Sequence, residues 1–108
     1  MTRPDACHCS MCRKVSGHYW ASTDAPRENV AITGSEHISW FRSSERVRRG
    51  FCSNCGSALF WDADGREKIG IAMGAFDAPT GTKLRMHIFV ADMGDYYDIS
   101  DGLPQNPQ

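Results

Sequence analysis

Apolar residues recur in short runs separated by turn-forming residues, and no long stretch sustains the period of an amphipathic helix. Tyr19 to Thr23, Val30 to Thr33, His37 to Phe41, Ala58 to Trp61, Lys68 to Ala72 and His87 to Ala91 read as strands. Arg46 to Phe51 extends as a further strand into Cys52. Between them, Ala25-Pro26-Arg27, Ser43-Ser44-Glu45, Asp62-Ala63-Asp64-Gly65 and Asp77-Ala78-Pro79-Thr80-Gly81 carry turn chemistry, and Gly34-Ser35 is a break. Arg13 to Gly17 reads as a loop or one helical turn ended by glycine. Residues 1–6 form a short polar lead, and the tail from Asp101, with Gly102, Pro104 and Pro107, reads as extended. Short strands at regular spacing predict a mainly β fold.

A length of 108 residues predicts one domain, spanning 1–108. Hydrophobic residues make up 41% of it, enough for a modest core that a structural metal would help to staple. A net charge of −1 lacks the basic field of a protein that grips nucleic acid. No apolar run reaches membrane-spanning length, and the start shows no signal-peptide core. These features predict a cytoplasmic protein, where thiols stay reduced and clustered cysteines serve metals or catalysis.

The five cysteines fall into two tight clusters, Cys7-His8-Cys9-Ser10-Met11-Cys12 and Cys52-Ser53-Asn54-Cys55 followed by Gly56. An odd number suits a disulfide framework poorly. The second cluster is a zinc knuckle, in which one turn aims two sulfurs at one ion and Gly56 supplies the backbone freedom the turn needs. The first offers three thiolates on six residues. Three ligands leave zinc an open position, the mark of a catalytic site. Spacing alone equally permits a closed site of four cysteines. Its plainest form is one shared zinc on two of the first three cysteines plus Cys52 and Cys55.

Other side chains give weaker signals. His8 sits between ligands and is expected to line the surface near the metal, with proton transfer as a lesser role. Among His18, His37 and His87, the last, at a strand start, is best placed to reach a site. Lys14, Arg46, Arg48 and Arg49 suit substrate carboxylates, although a solvated charged face is the default for such residues. Trp20, Trp40, Trp61, Phe51 and Phe60 read as core.

Together the motifs resemble the family of glutathione-dependent formaldehyde-activating enzymes. The matching segments are Cys7 to Lys14 with Ser16-Gly17, and Arg49 to Ser57 with Leu59 and Phe60. Next come Gly74 to Pro79 with Asp77, His87 to Val90, and Ile99 to Pro104. The resemblance implies a zinc-containing β-tent of several short curled sheets, shared with a chaperone of small GTPases and with centromere protein V. It implies a catalytic-type zinc on Cys7, Cys9 and Cys12. It also implies that Cys52 and Cys55 form half of a four-cysteine structural site. The family completes that site with a C-x-C ahead of the first cluster, whereas only six residues, none a thiol, precede Cys7 here.

The function expected from this resemblance is a zinc-dependent carbon–sulfur lyase that joins or splits a thiol–aldehyde adduct such as S-hydroxymethylglutathione. The partners would be a glutathione-like thiol and an aldehyde, with neither nucleic acid nor membrane. A non-enzymatic zinc module for interaction or chaperoning is the alternative. An uncovered strand edge would favour a homodimer.

Overall fold

The computed structural model covers residues 1–108, and its strands form one seven-stranded sheet. The elements are β1 (Asp5–Cys7), α1 (Ser10–Ser16), β2 (Trp20–Pro26), β3 (Ile38–Arg42), β4 (Val47–Cys52), β5 (Ala58–Ala63), β6 (Lys68–Ala72) and β7 (Met86–Ile88). Their spatial order is β3-β4-β5-β6-β2-β1-β7. All neighbours are antiparallel except β1 and β7, which run parallel with Asp5 opposite Met86 and Cys7 opposite Ile88. The fold is therefore mainly β, as the residue pattern predicts. No helix is long and apolar enough to cross a membrane.

Three expectations need correction. Val30 to Thr33 is not a strand. It lies between two 3-10 turns, Arg27–Asn29 and Ser35–His37, and Ala31, Ile32 and Thr33 are exposed, so no sheet face holds them. The strand expected from His87 to Ala91 stops at Ile88, because Phe89 adopts left-handed backbone (φ 54°) and turns the chain away. The single helical turn expected at Arg13 instead begins at Ser10, inside the cysteine cluster. Gly17 (φ 76°) ends it, its amide donating to the Arg13 carbonyl at 2.7 Å.

The polar lead also enters the sheet. β1 pairs on both sides, with β2 and with β7. The outer edge of β7 is in turn covered by the tail. The His87 amide donates to the Pro104 carbonyl, and the Asn106 amide donates to the His87 carbonyl, both at 2.9 Å. The β7 edge of the sheet is thus covered at His87 by the chain's own extended segment, and β3 forms the other edge.

The packed centre is small and lies at the cysteines. Cys12, Trp20 and Ala72 form it, with Cys7, Cys9, Ala58 and Trp61 packed around them. Trp40 and Trp61 are only partly buried and Phe51 is exposed, so of the three tryptophans Trp20 alone belongs to this core. Gly50 makes room for the Trp40–Phe60 stack. A Cβ there would lie 2.9 Å from Trp40 and 3.2 Å from Phe60.

Candidate metal centre

Three local structures converge to build the thiol cluster. β1 delivers Cys7 at its end. Cys9 follows in extended backbone and caps α1, its Sγ accepting the Cys12 amide hydrogen bond at 3.4 Å. Cys12 lies three residues further, in the first helical turn, and is therefore on the same side as the cap. The three sulfurs lie within 4.8 Å of one another, and no other cysteine, histidine or carboxylate joins them.

Electrostatics distinguish the members. Arg49 on β4 donates from Nη1 to Cys12 Sγ at 3.5 Å. The hydrogen bond from Cys7 lowers the Cys12 thiol, burial opposes this, and Arg49 lowers it further, to about 6. Cys7 is pushed well up, because its proton is held by Cys12 and because it is buried. Cys12 is therefore the member of the cluster most disposed to the thiolate form. A soft set of three sulfurs beside a cation suits a thiophilic divalent ion such as zinc. Arg49, which charge patterning alone would leave on a solvated face, is a site residue. Arg48 is not, because it pairs with Asp62 and lies over Trp40.

Cys52 and Cys55 stand apart. The turn between them has the expected knuckle form: the Gly56 amide reaches the Cys52 carbonyl at 2.7 Å, with Gly56 at φ 78°. Cys55 is exposed, and the Ser57 hydroxyl, 3.1 Å from its sulfur, holds its thiol below the usual range, helped by Cys52. Neither sulfur joins the first cluster, so the shared four-cysteine site does not assemble.

His8 corrects a second expectation. It does not line the surface but is fully buried (0% exposed), pointing away from the sulfurs flanking it into a hydrogen-bonded chain. Tyr97 Oη lies 2.5 Å from His8 Nδ1, His8 Nε2 lies 2.8 Å from His87 Nδ1, and His87 Nε2 lies 2.7 Å from Asp101 Oδ2. Burial and the neighbouring imidazoles of His87 and His18 lower the His8 pKa, favouring the neutral ring. Asp101 is held below the usual carboxylate range by His87 and by the Leu103 amide, and so accepts. His87 Nε2 therefore donates to Asp101, while a neutral His8 donates through one ring nitrogen and accepts through the other, between Tyr97 and His87. His87 reaches this chain as its strand position suggests. Tyr97 and Asp101 lie in segments with no chemical signature of their own, and only the neighbourhood of a buried histidine identifies them.

A family model described as glutathione-dependent formaldehyde-activating enzyme matches residues 2–92. A Halomonas elongata protein bearing that description as a provisional name is 30% identical over 86% of this chain and 65% of its own length. The chain thus spans just under two thirds of that relative. An uncharacterized lyase of Schizosaccharomyces pombe is 24% identical over 88% of this chain and 69% of its own length.

Proposed function

Since the chain belongs to the glutathione-dependent formaldehyde-activating enzyme family, we propose that it is a zinc-dependent carbon–sulfur lyase acting on thiol–aldehyde adducts. The observation that carries this reading is the cluster of Cys7, Cys9 and Cys12, which gathers three sulfurs and no fourth protein ligand. Zinc bound there would lower the pKa of a substrate thiol and supply a thiolate nucleophile at neutral pH. Around it, Cys7, Cys9 and Cys12 act as ligands and the sheet takes the role of the family's β-tent. Cys52 and Cys55 form a second, surface metal half-site.

The chain's own residues supply the setting. Three thiolates around a divalent ion leave one net negative charge, and the Arg49 guanidinium cancels it. That neutralisation would favour an anionic thiolate near the cluster, which an uncompensated cluster would repel. The Tyr97–His8–His87–Asp101 chain fixes the turn between Cys7 and Cys9, so that the ligands are oriented before the ion binds. The reaction joins sulfur to the carbonyl carbon, and the proton released by the thiol ends on the carbonyl oxygen. Mixing zinc-loaded protein with glutathione and formaldehyde, and following adduct exchange by NMR, tests the reading. We expect exchange well above the protein-free rate and its loss in Cys12→Ser; a rate equal to the protein-free control would reject it.

A further inference from the structure

Beside the sulfur cluster lies a groove of about 240 Å³ whose walls are mostly carbon. Trp20 and Ala58 form part of its wall, and Val15, Phe41 and Phe51 are exposed along it. Val15 is 45% and Phe41 53% exposed, so the two offer apolar surface at the same groove. Arg49 is the one charged residue on the wall, and it is the same arginine that reaches Cys12. The groove therefore combines apolar walls with a single cation, and that cation also contacts the thiol cluster.

That arrangement is a poor match for glutathione alone, whose two carboxylates and ammonium would meet one cation and otherwise hydrocarbon. It is a good match for a ring or branched alkyl group with one polar head. An apolar cavity of about 150 Å³ already holds a benzene ring, so this groove has room for a ring and a short arm. We propose that the groove binds an aryl or branched-alkyl group bearing a single carbonyl or carboxylate head directed to Arg49. It follows that the aldehyde partner is an apolar aldehyde larger than formaldehyde. The second statement rests on the lyase reading; the first does not. The chemistry is balanced as before: the thiol sulfur adds to the carbonyl carbon, the π pair moves to oxygen, and oxygen takes the thiol proton.

The test has two arms, both on the zinc-loaded full chain. In the first, tryptophan fluorescence, to which groove-lining Trp20 contributes, is titrated with 3-phenylpropanoate and with succinate, neither of which can react. We expect phenylpropanoate to saturate at about tenfold lower concentration. Val15→Asp and Phe41→Asp, both at exposed positions and checked for native circular dichroism and zinc content, should each abolish that preference. Equal affinities, or a preference that survives both substitutions, overturns the proposal. So does a dimer in sedimentation that phenylpropanoate does not dissociate, because a second copy would then be the occupant. In the second arm, adduct exchange with glutathione is compared for 3-phenylpropanal and formaldehyde. Acceleration with 3-phenylpropanal supports the assignment, and acceleration with formaldehyde only rejects the larger aldehyde while the lyase reading stands. If neither aldehyde exchanges but phenylpropanoate keeps its preference, the lyase reading fails and the ligand class of the groove stands.

Discussion

Asp62 shows how one residue ties the Arg27 turn and the neighbouring strand β4 to β5. It is buried on β5 between Arg27, which it contacts closely, and Arg48, whose Nε lies 2.8 Å from Oδ2. Burial raises its carboxyl pKa, and the hydrogen bonds and charges of the two arginines more than reverse this, leaving it below the usual range. A depressed folded pKa gives stability that is present above the unfolded value, about 3.9, and is lost as pH falls through the folded value. Asp62→Asn should therefore cost about 2 kcal/mol near neutrality, the scale of hydrogen bonds to a charged group. The urea midpoints of the variant and the native chain should stay apart down to about pH 4 and draw together as the pH falls below it. Midpoints that stay equally separated above and below it would show that the arginines contribute packing and no charge. At this scale the sequence was informative about thiols and less so about their neighbours. The spacing of Cys7, Cys9 and Cys12 carries its own chemistry, whereas Arg49 gains meaning only when β4 is laid beside α1.

Among the elements, the sheet interior was legible and its margins were not. Lys68 to Ala72 is seen as expected because turns bound it and β-sheet neighbours flank it on both sides. Val30 to Thr33 is at least as rich in β-branched residues but finds no partner, and strand propensity without a partner decides little. The shortening of β7 likewise depends on distant chain. The amides of Val90 and Ala91 turn to the carbonyls of Asn106 and Pro107, which no local pattern announces. The buried histidine chain crosses β1, β7 and the tail, and its cost of disruption follows from burial. His87→Ala leaves His8 Nε2 without its partner and opens a cavity in a region where His87 is 2% exposed. We expect a loss of about 3 kcal/mol by denaturant unfolding. Tyr97→Phe, which removes one hydroxyl, should cost about 1 kcal/mol. Equal losses for the two would mean that the links of the chain do not act separately.

For the whole molecule, only 15 of 108 residues are buried, and the main hydrophobic cluster is centred on Cys12. With a core this small centred on the three thiols, the proposed zinc would be a folding partner as well as a source of chemistry. Chelation should lower the melting temperature by more than about 10 °C. Cys12→Ser should reproduce that loss without a chelator, while exposed Cys55→Ser should leave the transition nearly unchanged. A chelated protein that melts with the native one would remove the metal from the folding account. The pairing of β1 with β7 carries a further consequence, for biosynthesis. Asp5 to Cys7 leave the ribosome some eighty residues before their parallel neighbour, Met86 to Ile88. Contacts so distant in sequence form late. Throughout that interval the nascent chain carries three adjacent thiols outside a finished sheet, open to oxidation or to the wrong ion. If zinc fills the cluster as proposed, its supply during translation, rather than after release, would then set the yield of folded protein.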